Sequence, residues 1–421
     1  FGIVGLLLYT VILSLGITFA LFTLIRKIEQ NISIVIGLTA LGIMGMAPLL
    51  QTPRPWLWTI LLFIIELDIL LTTRRTGNYR TLFLLPFLFA LWANLHLQFI
   101  YGFFALGFFL IEPLIEQALS RPFSFDKLKS AFSTQPWLIA IACFVATLAT
   151  PYHIHTYKVP IDFMYGLFVD IVPKTGENHP NIISVYDYNS EFHAMSFRGF
   201  LDWIVLGLTV GAAYFLGQKV KVSPFLALML LMGIYLSFHT MRDVWFVVIS
   251  AIIIIASSRP APLIDNRFKI KKAQMLVAAV IVGLVVIFFA HKRKLTENEL
   301  NDAMPKIYPT AAVEIIKTRG YLGPLYNHYN WGGYLIWQLP QLLVSMDGRG
   351  NVYGDEKIVR SLKIWNGTHD WANDSELAQS KLVIADVNMP LASLLRYDKR
   401  FDLVYEDDVA VLFIAKLATT K

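Results

Sequence analysis

The chain has 421 residues, of which 56% are hydrophobic, 14% aromatic and only 16% charged. Soluble proteins carry about a quarter of their residues as charges, so this chain has too few to clothe two or three soluble domains. Disorder, collagen and coiled coil are excluded with them, and a lone cysteine, Cys143, excludes a disulfide scaffold.

The apolar residues come in blocks, each about as long as the hydrocarbon core is thick. They cover 1–25, 33–50, 56–73, 81–93, 97–115, 136–150, 201–217, 223–237, 244–257 and 273–290. The chain reads as a polytopic α-helical membrane protein of about ten spans. The fourth and fifth blocks are parted only by Asn94-Leu95-His96 and form a tight hairpin. The sequence opens at Phe1, already inside an apolar block, which reads as a fragment lacking its natural N-terminus.

Basic residues fix the expected orientation. Connections 26–32, 74–80, 118–135, 218–222 and 258–272 hold fifteen Lys and Arg, whereas the alternate ones hold five: Arg54, Lys158, Lys174, Arg198 and Arg242. By the positive-inside rule the first set is cytoplasmic. Phe1, the long loop 151–200 and everything after about 291 then lie on the outer face of the plasma or inner membrane, which in a bacterium is the periplasm or exterior. Residues 291–421 hold sixteen basic and sixteen acidic side chains, so the net charge of +6 belongs to the membrane half and is no argument for nucleic acid.

Residues 1–290 therefore form a transmembrane domain, and 291–421 have the composition of a soluble α/β domain. In the latter, a helix is expected over Ala311–Arg319 and a strand over Leu322–Tyr326. Gly332-Gly333 opens an amphipathic stretch, Tyr334–Leu339. Strands follow at Leu342–Met346 and Lys381–Asp386, then a helix from Pro390 to Tyr397. A terminal hairpin of Phe401–Tyr405 and Val409–Ala415 flanks Glu406-Asp407-Asp408. No glycine-rich phosphate loop follows a strand.

Four outer-face clusters carry polar residues that membrane packing does not demand. Arg54, in Thr52-Pro53-Arg54-Pro55-Trp56, can pair with a lipid phosphate or simply sit in an interfacial aromatic belt. Trp92-Ala93-Asn94-Leu95-His96-Leu97-Gln98 can hydrogen-bond a sugar or headgroup, or satisfy its own turn. The loop 151–200 is long for a connection and reads as a substrate cover. Its His153-Ile154-His155 would ligate a metal only as a strand, and nothing fixes further ligands. The fourth cluster is His239-Thr240-Met241-Arg242-Asp243, where Arg242 can grip a phosphate bidentately or form a surface pair with Asp243.

Acids inside the spans are costly. Glu66 and Asp68 lie two positions apart, too close for one helix face to hold both, and each reads either as a proton or ion site or as a bond to a neighbouring helix. Glu112 and Glu116 share a face at the cytoplasmic end and are expected to be solvated. Asp347-Gly348-Arg349, directly after an apolar strand, reads either as a local ion pair or as a site at the strand's C-terminal end, where α/β ligands bind.

Three stretches together resemble one family. They are Arg54-Pro55 opening a span with Leu91-Trp92-Ala93-Asn94-Leu95-His96 downstream, Arg242 at a later hairpin, and the run Leu325-Tyr326-Asn327-His328-Tyr329-Asn330-Trp331-Gly332-Gly333-Tyr334 with Asp347-Gly348-Arg349. The likeness is to bacterial multi-spanning proteins grouped by fold with the GT-C glycosyltransferases, the class of oligosaccharyltransferases and protein mannosyltransferases. It runs over nearly the whole chain. The resemblance implies glycosyl transfer on the outer face from a polyprenyl-phosphate-linked sugar, with membrane lipids as neighbours and no nucleic acid; the acceptor stays open. A physical reading of the residues agrees with substrate binding there: Arg54 and Arg242 at span ends for the phosphate, Trp92, Asn94, His96, Tyr329 and Trp331 as aromatic platforms and polar forks for a sugar, and Asp347 and Arg349 at the strand end. Enzymes of this class place a catalytic carboxylate in their first outer loop, which the expected topology puts upstream of Phe1, and Glu191 and Asp187 are substitutes by position only. A general base, or a carboxylate positioned by a divalent metal, would activate the acceptor. A transporter or flippase of a lipid-linked substrate, and a non-catalytic anchor presenting the C-terminal domain, are the competing readings.

Overall fold

A computed structural model of the chain describes residues 2–120, 133–158, 161, 194–218, 222–258, 302–368 and 370–416. These fall into two compact units, one ending within the first 270 residues and the other holding the C-terminal part.

The first unit is helical. Its helices are α1 (Gly2–Ile28), α2 (Ile32–Leu50), α3 (Trp56–Thr76), α4 (Leu85–Leu95), α5 (Ile100–Ala118), α6 (Thr134–Thr147), α7 (Phe200–Gly217), α8 (Pro224–His239) and α9 (Val244–Ser257). Five stretches, Val4–Ile28, Ile32–Leu50, Trp56–Thr76, Leu97–Ala118 and Phe200–Gly217, are long and apolar enough to cross a membrane. Tyr79–Leu95, Thr134–Thr147 and Pro224–His239 are apolar but shorter. The apolar block 273–290 lies outside the described residues.

Helix ends follow local chemistry. The Asn31 side chain caps α2 by accepting from Ser33 N–H, and Ser223 caps α8 by accepting from Leu226 N–H with Pro224 at the first helical position. Gly77 ends α3 at φ 67°, a left-handed conformation that glycine adopts freely. Close helix approach needs small residues too. A side chain on Gly233 of α8 would meet the Val247 backbone of α9 at 2.9 Å.

At one end of this unit, polar groups are tied in pairs. Arg74 of α3 grips Glu112 of α5 bidentately, both bonds 2.6 Å, and Ser223 donates to the same carboxylate at 2.7 Å. Glu112 is therefore buried rather than solvated as its position at a helix end implied; the Arg74 fork replaces the water it would otherwise need. Asp68 pairs with Lys27 of α1 at 2.6 Å, which settles its role as a bond between helices.

The C-terminal unit is a three-layer α/β domain. Its four-stranded sheet has the order β1 (Leu325–Asn327), β2 (Leu382–Asp386), β4 (Ala410–Ala415), β3 (Phe401–Glu406). β1 and β2 run parallel, while β4 is antiparallel to both of its neighbours. Alternation along the strands sends side chains to opposite faces. Leu382, Ile384 and Leu412 pack with Ala312, Val313 and Ile316 of α10 (Thr310–Arg319) and with Leu335 of α11 (Gly332–Gln338). Val383, Ala385, Val411 and Phe413 face the other way. They meet Ile364 and Trp365 of α12 (Gly350–Trp365), Leu377 of α13 (Ser375–Gln379), and Leu391, Ala392 and Leu395 of α14 (Pro390–Leu395).

The helix at 310–319, the strand at 382–386 and the terminal hairpin stand where the sequence put them. The expected strand Leu342–Met346 shrinks to one parallel bridge, Val344 to Leu325. Ser345 N–H closes the ladder on Leu325 O at 2.9 Å and is shared with the Asn327 side chain at 3.1 Å, and beyond it Asn327 donates to Met346 O at 2.8 Å in place of a further ladder bond. Helix α12 went unread, although Ile358, Leu362 and Trp365 recur at helical spacing and are buried.

Candidate functional site

Two hairpins of the helical unit share one local design. In each, a helix ends on a residue in extended conformation, a three-residue 3-10 turn follows, and a new helix begins. In the first, α4 ends at His96 (φ −158°, ψ 139°), the turn is Leu97–Phe99, and α5 follows. In the second, α8 ends at Thr240 (φ −135°, ψ 129°), the turn is Met241–Asp243, and α9 follows. The extended residue lets the chain reverse while its N–H still closes the helix, His96 on Trp92 O and Thr240 on Leu236 O.

Asp243 staples the two turns together. It is fully buried, and its carboxylate accepts from Gln98 Nε2 at 2.7 Å, Tyr101 OH at 2.8 Å and Thr240 Oγ1 at 2.8 Å. Three neutral donors thus hold the carboxylate, and its interaction with Arg242 is that of a buried group rather than of the expected surface pair. Ser237 donates to the Asp243 carbonyl at 2.8 Å and fixes the turn from below.

A second chain of bonds fixes His96. Trp92 Nε1 donates to Thr59 Oγ1 at 2.9 Å, and Thr59 Oγ1 lies 2.8 Å from His96 Nδ1. An indole N–H can only donate, so the Thr59 oxygen accepts from it; His96 Nδ1 is the hydroxyl's one other partner among the described residues, and the Thr59 proton therefore goes to Nδ1. His96 Nδ1 is then the acceptor, and the remaining ring hydrogen sits on Nε2. Burial of the ring, reinforced by the nearby Arg242 guanidinium, pushes the imidazole down to about 3, so His96 is neutral and offers an Nε2–H donor. Arg242 and His96, on hairpins far apart in sequence, lie within electrostatic reach of each other.

The other expected residues of this unit fare differently. Arg54 is exposed in the turn before α3, its guanidinium 5.6 Å from the Trp56 ring centroid, one helical turn from Thr59. Asn94 spends both amide hydrogens on backbone, on Ala90 O and Ala149 O, each at 2.8 Å, which joins α4 to the segment after α6. His153–Tyr157 is a 3-10 turn and His153 Nδ1 lies 3.2 Å from Leu148 O, so the strand that a His153/His155 metal site required is not formed. Asp187 and Glu191 lie outside the described residues. Among the described residues no cluster of three or more His, Cys, Asp or Glu could hold a metal ion.

In the C-terminal unit the polar residues gather where the parallel strands end, with Asn327-His328 after β1, Asp347 after the Val344 bridge and Asp386 closing β2. Arg349 grips Asp347 through Nε at 2.9 Å and Nη2 at 2.6 Å, and Tyr353 OH adds a bond at 3.1 Å. Burial raises the Asp347 carboxyl, but the Arg349 and Tyr353 bonds outweigh it and hold the group below the usual carboxylate range. Burial lowers His328, with Asp386 opposing. Tyr329 OH donates to Gly348 O at 3.2 Å. Trp331 is buried in the core with its Nε1 on Ile307 O at 3.1 Å, which makes it a packing residue rather than an open platform.

The sequence clusters already held His96, Gln98, Thr240, Arg242 and Asp347, but Thr59 and Tyr101 went unnoticed. Their one signal was a polar side chain within a turn of a span end. No family model matches the chain, and no curated protein matches it.

Proposed function

We propose that the chain is a membrane glycosyltransferase of GT-C type that holds a polyprenyl-phosphate-linked sugar where the 96–99 and 240–243 turns meet, on the outer face of a membrane crossed by about ten spans. One observation carries the reading. Two separate hairpins bring a guanidinium, Arg242, and a neutral N–H donor, His96, to one place, and a buried carboxylate locks the hairpins together. A phosphate is the leaving group of such a transfer, and a cation with a fixed donor stabilises the charge that develops on it. Asp243 takes its hydrogen bonds from Gln98, Tyr101 and Thr240, and Arg242 lies within its electrostatic reach, so the same carboxylate that locks the hairpins also helps to hold the guanidinium there. The resemblance of Leu91–His96, Arg242 and the Leu325–Tyr334 run to GT-C proteins supports the same reading.

The test is binding of a polyprenyl phosphate to the full chain in detergent. Arg242→Ala and His96→Ala each weaken binding about tenfold or more, equivalent to about 1.4 kcal/mol, while Asn94→Ala does not. Equal affinity in all three would sink the proposal.

Transport of a lipid-linked substrate has one observation in its favour, the buried Glu66 described next. Transfer that proceeds in detergent, without a sealed membrane, decides for the enzyme.

A further inference from the structure

Glu66 sits mid-way along α3 and is fully buried, and neither of its carboxyl oxygens has a hydrogen-bond partner among the described residues. Its Oε2 lies 2.7 Å from the point where a side chain on Gly102 would begin, and the rings of Trp92 and Phe89 stand 2.8 and 2.9 Å from that same point. The carboxyl thus has Gly102 of α5 and two aromatic rings of α4 close by. From α6 the Cys143 thiol lies within electrostatic reach. From α1 the charge is Lys27, already bound to Asp68. From α9 come Trp245 and Phe246, packed on Phe63 of α3 and not titratable.

A carboxylate needs water, a cation or donors, and none of the described residues donates to it, so the ionised form would bear the desolvation cost of a buried charge. A metal ion is no remedy, since hard cations demand several oxygen ligands, and among the described residues no group of three or more His, Cys, Asp or Glu could hold one. We propose that Glu66 is a proton-binding site inside the helical unit, carrying its proton at neutral pH as a carboxylic acid. Trp92 connects this site to the turn cluster. Its ring and the carboxyl come within 2.8 and 2.7 Å of the same point beside Gly102, and its N–H holds Thr59, which holds His96. Loss of the proton would set a charge against the ring that positions His96.

The test is infrared spectroscopy of the full chain in lipid at neutral pH. The expected result is a protonated-carboxyl C=O band that disappears in Glu66→Gln; an unchanged spectrum overturns the proposal. If the variant fails to fold, the wild-type chain answers by itself through N,N′-dicyclohexylcarbodiimide labelling. The acid proton moves to a carbodiimide nitrogen, the carboxyl oxygen adds to the central carbon, and acyl migration to nitrogen leaves an N-acylurea on the peptide containing Glu66. Labelling there by this apolar reagent and not by a water-soluble carbodiimide supports the site. Labelling by both places the carboxyl in water and overturns it. Neither readout involves polyprenyl phosphate, so the outcome stands apart from the glycosyltransferase reading.

Discussion

Gln98 and Asp243 are 145 residues apart and joined by one 2.7 Å hydrogen bond in a fully buried place. The bond sets two hairpins in register, and Tyr101 and Thr240 complete the carboxylate's shell. Asp243→Ala leaves three buried donors unmet, each worth about 1–3 kcal/mol. Partial relaxation brings the expected loss to about 3–5 kcal/mol, whereas Gln98→Ala loses about 1–2 kcal/mol. Equilibrium unfolding in detergent measures both, and a loss below about 1 kcal/mol for Asp243→Ala contradicts the staple.

The His96 chain predicts a pH dependence with a definite sign. An unfolded histidine titrates near 6.5, and the folded ring titrates at about 3. Between those values the unfolded state binds the extra proton, so stability rises with pH across the window and is lost as pH falls from 6.5 toward 3. Unfolding midpoints between pH 7 and 4 follow this slope in the wild type, and His96→Gln flattens it. Thr59→Val removes the acceptor of the Trp92 N–H and the donor to Nδ1, and the ring then loses its fixed tautomer. Nitrogen NMR of the imidazole reads that directly as a mixture of Nδ1–H and Nε2–H forms.

Arg74 and Glu112 make the same kind of argument at the other end of the bundle. Removing one partner of a buried pair costs about 3–5 kcal/mol because the other charge stays behind. Arg74→Ala therefore destabilises strongly, and the double variant Arg74→Ala/Glu112→Ala recovers part of the loss. Arg74→Lys keeps the charge but cannot form the two parallel bonds of 2.6 Å, so it falls between. A double variant no more stable than Arg74→Ala would refute a paired burial.

Five membrane-length apolar helices were legible because hydropathy and length act locally, whereas the blocks at 81–93, 136–150 and 223–237 form apolar helices too short to count with them; the C-terminal hairpin was legible because two apolar runs flank an acidic turn. What escaped was set by contacts distant in sequence. Asp243 looked like a surface neighbour of Arg242, since its partners Gln98 and Tyr101 belong to another hairpin. Glu112 looked solvated because nothing in its own helix shows that Arg74 folds over it. The strand at 342–346 failed for a local reason hidden in one residue, the Asn327 side chain that takes the place of a further ladder bond. Trp331 was read as a sugar platform from its residue type, and only packing reveals it as core.

Gly332 carries the sharpest prediction in the C-terminal unit. A side chain there would stand 2.0 Å from Met346 O and 2.5 Å from the Asp347 α carbon, and both are backbone, which cannot swing aside as a side-chain end would. The absence of a Cβ is what lets α11 lie against the segment that positions Asp347 for Arg349. Gly333, the neighbouring glycine, has open space around it. Gly332→Ala therefore forces α11 off residues 346–347 at a cost of about 3 kcal/mol or more, in the range of severe overpacking, and Gly333→Ala changes stability by less than about 1 kcal/mol. Hydrogen exchange of the full chain distinguishes the two, with protection lost over 325–347 in the first variant only. With the clasp opened, Asp347 loses the bonds that hold it below the usual range, and its titration rises toward that of an ordinary carboxylate.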